Sequence, residues 1–226
     1  MKLKQLTRHV WAGYVYWPLP VMVWIVEDHD GLTLVDAGLS SMWRSMREAL
    51  HTTFHDRPLN RILLTHGHHD HVGMLYELTE DLPVPVMAHE IEIPFLTGER
   101  SYTKLREGSK NSDIQPLAKN KLEPLDMGNS YGGLIPYHTP GHSLGHVAYY
   151  HPEDHILLAG DLFTAFFGKL RRPINKFTAN MEESLNSGAI VEKLQPKLTA
   201  CAHCGVIKEA STQYRKLVKN EALGLR

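Results

Sequence analysis

The chain has 226 residues, of which 42% are hydrophobic and 22% charged, and its formal net charge is -1. This composition indicates one large globular domain, excludes disordered and fibrous classes, and offers no overall field that would attract nucleic acid or an anionic membrane. Two cysteines are too few for a disulfide framework. Because the sequence shows no signal peptide and no apolar run long enough to cross a bilayer, we expect a soluble cytoplasmic protein.

In the first half of the chain, short β-rich runs alternate with turn and helix signals. Strands are predicted over residues 21–26, 32–35, 62–65 and 84–88. Apolar residues at helical spacing predict a helix within residues 40–53, with Ser40 or Ser41 as its N-cap. Met74, Leu75 and Leu78 indicate a second helix.

Residues 90–127 are polar and interrupted by glycine and proline, so we expect a rim insertion near the active site within a single domain spanning residues 1–226. Strands then follow over residues 134–139, 146–150 and 156–159, the last two joined by a hairpin turn at residues 152–154. A helix over residues 181–194, a strand over 198–202 and a helix over about 208–222 complete the pattern. Strands alternating with helices predict an α/β (α+β) layered fold with a core of two sheets.

Histidine carries the strongest chemical signal, since the chain has 15 of them and many are clustered. The segment LTHGHHDHVG, residues 64–73, leaves a predicted strand and enters a predicted helix. His66 and His68 are two residues apart, so in extended backbone their side chains leave on the same side. Asp70 and His71 lie at the turn into the helix and can face elsewhere. The segment therefore predicts two pairs of ligands for two neighbouring metal ions.

Further ligands are predicted where later strands end. His142, Asp161 and His203 each follow a predicted strand, with a glycine nearby that permits a tight backbone turn. Imidazole and carboxylate are ligands that zinc, manganese and iron accept, and the absence of thiolates favours a reactive site over a structural one. We expect two divalent metal ions, zinc first, with manganese or iron as alternatives.

These motifs resemble those of the metallo-β-lactamase superfamily, in its glyoxalase-II-like and lactonase-like branch. The resemblance covers about residues 20–205 and includes VDAG at residues 35–38, the His-x-His-x-Asp-His run at 66–71, and the three later ligands in the family's order. It implies a four-layer αββα sandwich with the site at one sheet edge. It also implies the ligand roles: His66, His68 and His142 for the first ion, Asp70, His71 and His203 for the second, and Asp161 bridging both.

A binuclear hydrolase is the activity that this resemblance implies. Two cations roughly 3.5–4 Å apart can share a water, lower its pKa to around neutrality and so supply a bridging hydroxide that attacks a carbonyl or phosphoryl centre. Asp70 is the candidate catalytic residue, expected to orient the nucleophile and carry its proton. Asp36 is expected to hydrogen-bond a ligand or the loop that carries one.

Several residues near these motifs have two interpretations each. His69 is the motif's spacer and is expected to be exposed or supporting; His138 and His146 are expected to pack or hydrogen-bond, and His89 to be on the surface or to reach the pocket. Cys201 and Cys204 have the spacing of a redox pair or half a zinc site, but also that of small buried residues around His203.

Three other groups of residues could either line the pocket or have a structural role. Lys169, Arg171 and Arg172 could contact an anionic substrate. Phe163, Phe166 and Phe167 could form an apolar wall, and Tyr102 and Tyr137 could stabilise an oxyanion.

The expected substrate is a small molecule: a lactone, a thioester or another acyl ester, without a nucleic-acid or membrane partner and with the oligomeric state open. Glyoxalase II fits poorly because only 23 residues follow His203, whereas that enzyme binds its thioester with a C-terminal helical region. A true β-lactamase is expected to lack Asp70 and to be secreted. The alternatives are an oxidoreductase resembling mononuclear iron persulfide dioxygenases and a non-catalytic metal-binding module.

Overall fold

The computed structural model of the protein describes residues 1–17, 19–101 and 115–223. Its strands are β1 (Lys2–Gln5), β2 (Val10–Trp17), β3 (Leu19–Glu27), β4 (Leu32–Val35), β5 (Leu59–Leu63), β6 (Val86–Ala88), β7 (Leu122–Pro124), β8 (Ile135–His138), β9 (Val147–His151), β10 (Ile156–Gly160), β11 (Thr164–Phe166), β12 (Lys169–Arg171), β13 (Leu198–Cys201) and β14 (Gly205–Lys208). Its α-helices are α1 (Trp43–Thr52), α2 (His69–Val72), α3 (Leu75–Asp81), α4 (Ile93–Leu96), α5 (Met181–Ser187), α6 (Ile190–Leu194) and α7 (Ala210–Ala222).

Two mixed sheets form the centre of the fold. The larger has the order β1-β2-β3-β4-β5-β6-β7, antiparallel as far as β4 and parallel from β4 onwards. The smaller has the order β14-β13-β10-β9-β8, in which β10 and β13 are parallel. Strands β11 and β12 form a separate hairpin.

Alternation along the strands produces four layers, because successive side chains point to opposite faces of a sheet. On β3, Val23 and Ile25 join a cluster that includes residues of α1 and α3, whereas Trp24 lies between the two sheets. On β10, Leu158 faces the first sheet while Leu157 joins a cluster with residues of α6 and α7. The order is therefore helices, sheet, sheet, helices, which confirms the αββα sandwich.

The ligand-bearing segments meet at one edge of the sandwich. Strands β4 and β5 are parallel in one sheet, and β10 and β13 are parallel in the other, so each pair has its carboxyl ends on the same side. Backbone bonds join the sheets there: Val147 N donates to Thr65 O at 2.8 Å, and Met22 N donates to Ala202 O at 3.0 Å. The residues that follow these strands are thereby brought together.

Two helix predictions are corrected by the structure. Residues 40–42 form a 3-10 turn, and α1 begins after Met42 without any side-chain cap, so neither Ser40 nor Ser41 is its N-cap. The helix predicted over residues 181–194 is two helices broken around Gly188, where an added Cβ would lie 2.7 Å from the Tyr214 ring. Glycine is a poor residue for a helix interior, but here it makes room for α7.

Part of the segment expected to be a rim insertion belongs to the larger sheet. Strand β7 pairs in parallel with β6, and Leu122 is buried in the core. The short helix α4 precedes it, and residues 102–114 of the same segment, which include Gly108, lie outside the described residues. Among the described helices, none combines the length and the apolar character needed to cross a bilayer.

Close packing between α2 and the loop after β4 generates a stability prediction. A Cβ on Gly73 would lie 2.7 Å from both Gly38 O and Ser40 N, although the φ of -60° suits any residue. We expect Gly73→Ala to lower the free energy of unfolding by about 1–3 kcal/mol, the usual cost of overpacking. Urea denaturation measures this, with Gly128→Ala, whose Cβ would meet only the Asp126 side chain at 3.3 Å, as the control. Equal midpoints for the two variants would contradict the prediction.

Candidate metal centre

Three histidines converge at the edge where β5 ends. The backbone is extended at His68 before α2 begins, so the His66 and His68 side chains leave on the same side. His66 Nε2 lies 2.9 Å from His68 Nδ1, and His142 Nε2 lies 3.0 Å from the same atom. Three imidazole nitrogens at these separations form one candidate ion site, which we call the first group.

A second group forms beside it from Asp70, His71 and His203. Asp70 and His71 lie in the first turn of α2, and the His71 ring centroid is 4.1 Å from that of His66 in the first group. Asp70 Oδ2 lies 3.2 Å from His203 Nε2, and its Oδ1 lies 3.9 Å from His71 Nε2. His203 reaches this position from the turn between β13 and β14.

Asp161 lies between the two groups. Its Oδ2 is 3.3 Å from His142 Nε2 in the first group and 3.4 Å from His203 Nε2 in the second, and its Oδ1 is 3.5 Å from His71 Nε2. The turn that presents it requires Gly160, whose φ is +51° and whose Cβ would lie 2.7 Å from His146 Nε2. His146 Nε2 accepts the Asp161 backbone N–H at 3.1 Å, which fixes the turn.

Asp36 hydrogen-bonds His71, a candidate ligand of the second group, as the sequence predicted. Its buried carboxylate accepts hydrogen bonds from Thr65 N at 2.7 Å, from Thr65 Oγ1 at 2.8 Å and from His71 Nδ1 at 2.7 Å. Because Nδ1 of His71 donates to Asp36, its Nε2 is left facing the site. One carboxylate thus orients a candidate ligand and the end of β5, which His66, His68 and Asp70 follow.

Other candidate ligands are oriented in the same way. His203 Nδ1 donates to Pro20 O at 2.9 Å, so its Nε2 faces the two aspartates. His142 Nδ1 lies 3.2 Å from Thr178 Oγ1, and His66 Nδ1 lies 3.0 Å from Thr65 Oγ1. Partners on the outer nitrogen fix the ring orientation and leave the inner nitrogen available as a metal ligand.

Unsatisfied buried atoms show that the residues fit a bound cation. His71 Nε2 and Asp161 Oδ1 are buried and have no hydrogen-bond partner among the described residues. Leaving such atoms unpaired is costly, and imidazole with carboxylate is a donor set that divalent ions accept. A remote cluster of His9, His151 and Asp154 provides the contrast: Asp154 accepts from His9 N and His9 Nδ1, and its own N–H donates to His151 Nδ1.

Electrostatics differ between the two groups. Burial and the neighbouring imidazoles hold the pKa values of His66 and His142 well below the usual range, which favours neutral rings. Burial opposes protonation of His71 and His203 as well, but the facing carboxylates outweigh it and raise their pKa values to about 9 and about 12. Despite its burial, Asp161 has a pKa well below the usual range because of His203, His142 and His71.

Glu92 is a residue of the site that sequence reasoning missed. Its carboxylate is buried and accepts hydrogen bonds from Gly67 N at 2.9 Å and from Ser143 Oγ and Gly145 N at 2.8 Å each. It lies in the polar segment after β6, two residues after the exposed Glu90. Nothing in the sequence distinguishes these two glutamates, because the difference arises only when the segment folds against the ligand loops.

The histidines with two interpretations lie outside the two candidate ligand groups. His69 is half-buried and belongs to neither group. His138 stacks on His89 with ring centroids 4.3 Å apart, and its Nε2 donates to Leu144 O at 3.0 Å. His146 is fully buried and hydrogen-bonded, as expected.

The aromatic candidates after Asp161 lie in the outer core or on the β11–β12 hairpin, whose Ala165 N donates to His203 O at 3.1 Å. Phe163 is buried in the outer core, which favours the packing interpretation. Phe166 and Phe167 are exposed near the tip of the β11–β12 hairpin. Gln213 Nε2 donates to both Gly168 O and Lys208 O, which holds the hairpin tip at the end of β14 opposite His203.

The basic run lies on and just after β12, and Tyr137 has a packing role. Lys169 and Arg171 are exposed on β12, and Arg172 pairs with Glu221 on α7 at 3.2 Å. Tyr137 packs against the outer core with the Lys193 ammonium 5.6 Å from its ring centroid, whereas Tyr102 lies outside the described residues.

The two cysteines support packing rather than redox chemistry. Both are free, and both contact the outer cluster beside the turn that carries His203. Burial raises the pKa values of Cys201 and Cys204, so neither thiol is activated. This favours the interpretation of small residues around His203.

Imidazole and carboxylate groups at one edge of an αββα sandwich define a class of metal-binding proteins, and comparison with known proteins identifies the family. The family model of the metallo-beta-lactamase superfamily matches residues 16–203. The chain is 34% identical over 210 residues to the probable metallo-hydrolase YybB of Bacillus subtilis (strain 168), covering 90% of this chain and 91% of that protein. The chain therefore belongs to the metallo-beta-lactamase superfamily.

Two further relatives extend the comparison. The hydroxyacylglutathione hydrolase of Pseudomonas aeruginosa (strain LESB58) is 34% identical over 154 residues, which are 66% of this chain and half of that protein. The crystal structure of TTHA1623 in a di-iron-bound form superposes with a TM-score of 0.69 at 28% identity, covering 87% of this chain and 93% of that one.

The raised pKa values of the second group predict proton release when metal binds. A bound ion needs unprotonated Nε2 atoms. Below about pH 9 for His71 and about pH 12 for His203, the ring is doubly protonated and Nε2 carries a proton. Addition of Zn²⁺ to the metal-free protein at pH 7.5 should therefore release at least one proton, with apparent affinity rising as pH rises. Calorimetry in buffers of different ionisation enthalpy measures the release, and a binding heat that does not depend on the buffer would refute it.

Proposed function

We propose that this protein is a binuclear metal-dependent hydrolase that cleaves a small acyl ester, a lactone or a thioester. The observation that carries the proposal is the pair of adjacent donor groups with Asp161 between them, in which buried His71 Nε2 and Asp161 Oδ1 make no hydrogen bond to the described residues. The superfamily and the hydrolase names of two relatives support the reaction class. The di-iron-bound form of the related TTHA1623 supports a site for two ions.

Each donor has a proposed role. The first ion takes the first group, namely His66, His68 and His142, and the second ion takes Asp70, His71 and His203. Asp161 serves both, because its Oδ2 lies almost equally far from His142 and His203. Zinc is the first candidate, with manganese or iron as alternatives, since imidazole and carboxylate suit all three.

When bound, two such ions lower the pKa of a water they share and polarise the substrate's carbonyl oxygen. Asp70 is the proposed catalytic residue of this chain. Its side chain is 30% exposed, against 9% for Asp161, so it faces the solvent side where substrate enters. Nearby His71 and His203 outweigh its burial and hold its pKa below the usual range, so Asp70 is ionised and can orient the nucleophile by accepting a hydrogen bond from it.

The basic run and α7 bear on which acyl substrate the site takes. Arg172, which follows β12, pairs with Glu221 of α7 at 3.2 Å, whereas the other two basic residues of the run are exposed on β12. Helix α7 itself packs on the outer face, where Tyr214 OH donates to Leu185 O at 2.8 Å. We therefore propose a small-molecule substrate, with a lactone or simple ester ahead of a glutathione thioester.

Elemental analysis paired with a substrate panel tests the whole proposal. We expect about two equivalents of zinc, manganese or iron, and turnover of a lactone, ester or thioester that a chelator abolishes and added metal restores. A single iron, no hydrolysis, and oxygen uptake with a persulfide would make the protein a dioxygenase. Metal binding without turnover of either kind would indicate a binding module.

Asp161→Ala tests the bridging role. Removal of the carboxylate leaves each group one donor short, so the variant should lose most of its metal and nearly all of its hydrolysis. Asp81→Ala, at an exposed helix end, is the control and should match the wild type. Wild-type metal content and rate in Asp161→Ala would defeat the bridging assignment.

A further inference from the structure

A buried carboxylate outside the proposed ligand set connects the two loops that carry the first group. Glu92 is only 1% exposed and lies just before α4. Its Oε2 accepts from Gly67 N at 2.9 Å, and its Oε1 accepts from Ser143 Oγ and Gly145 N at 2.8 Å each. Hydrogen bonds to a carboxylate are among the stronger ones in proteins, and a buried carboxylate is tolerated only when it is held this way.

The three donors occupy positions next to the candidate ligands. Gly67 is the residue between His66 and His68, and Ser143 directly follows His142. The two loops come from different sheets, since β5 precedes one and β8 and β9 flank the other. Glu92 therefore links, through one rigid side chain, the loops that must hold three imidazole nitrogens about one ion.

Gly145 shows that this contact is closely fitted. A Cβ at Gly145 would lie 2.8 Å from Glu92 Cγ and 2.9 Å from Glu92 Oε1. The φ of Gly145 does not lie in the left-handed region, so alanine is compatible with the backbone and would act mainly by displacing Glu92, with Ile91 Cβ the next neighbour at 3.2 Å. The glycine and the glutamate therefore act as one unit.

We propose that Glu92 is a positioning residue for the first metal ion, fixing the distance between the His66–His68 loop and the His142 loop. It acts on the two loops through Gly67 N, Gly145 N and the Ser143 hydroxyl, and touches neither the substrate nor the reacting atoms. The inference rests on the binuclear centre of the proposed function. Partners that orient metal ligands typically contribute about 10–100-fold in metal affinity.

Glu92→Gln is the principal test, because it keeps the shape but replaces one acceptor oxygen with an NH₂ group facing an N–H donor. Zn²⁺ affinity is measured on metal-stripped protein by competition with a chromophoric chelator. Paired backgrounds separate the two ions: His203→Ala removes a donor from the second group, and His66→Ala removes one from the first. Glu90→Gln is the matched control, since it makes the same change on an exposed glutamate two residues away.

The expected result is selective for the first ion. Glu92→Gln should weaken Zn²⁺ binding about 10–100-fold in the His203→Ala background and have little effect in the His66→Ala background. Gly145→Ala should weaken the same ion, and its effect should be smaller when Glu92 is already replaced. Glu90→Gln should bind both ions as the wild type does.

A merely structural role gives a different pattern. If Glu92→Gln lowers the thermal unfolding temperature of the metal-free protein but weakens both ions equally, or neither, the inference is wrong. If Glu92→Gln does not fold, Gly145→Ala decides by the same selectivity between the ions. Normal binding of two ions by the wild type with no selective effect overturns only this inference, whereas a wild type that binds no metal overturns the proposed function as well.

Discussion

The geometry of the site depends on the buried carboxylate of Asp36. This one side chain accepts from the backbone and the hydroxyl of Thr65 and from the ring of His71. Removing the carboxylate would take the acceptor away from three buried donors, and each donor left unpaired costs about 1–3 kcal/mol. The end of β5 and the start of α2 are therefore held at a fixed distance before any ligand on them can act.

Asp36 and two other residues have left-handed backbone at turns that follow strands. Asp36 has a φ of 61°, Cys204 has 69° and Gly160 has 51°, all in the left-handed region. Each lies where a strand leaves the sandwich edge, and left-handed backbone allows the chain to reverse within one or two residues. Hydrogen bonds around each turn hold this backbone conformation. The candidate ligands are therefore positioned by the protein and not by the metal alone.

The sequence predicted the fold class and the constellation of donors because both rest on local signals. Burial of both faces of β3 and β10 follows from their continuous apolar runs, and donors after strand ends meet wherever parallel strands end together. Strand β2 was not predicted, although it is rich in aromatic and β-branched residues, because Gly13 interrupts its run. Glu92 could not be predicted either, since its burial depends on contacts with one loop 25 residues before it and another 51–53 residues after it.

The outermost strands of the larger sheet determine what else that sheet can pair with. On β1, Lys2 and Lys4 are exposed, and at the opposite edge β7 ends in Pro124, which has no N–H to donate. Positive charge and proline are both means by which proteins discourage pairing along an open edge. Two copies that met edge to edge would bring like charges together at one side or lack a donor at the other. The sheet is thereby protected against growing from one molecule into the next, which is the first step of β-aggregation.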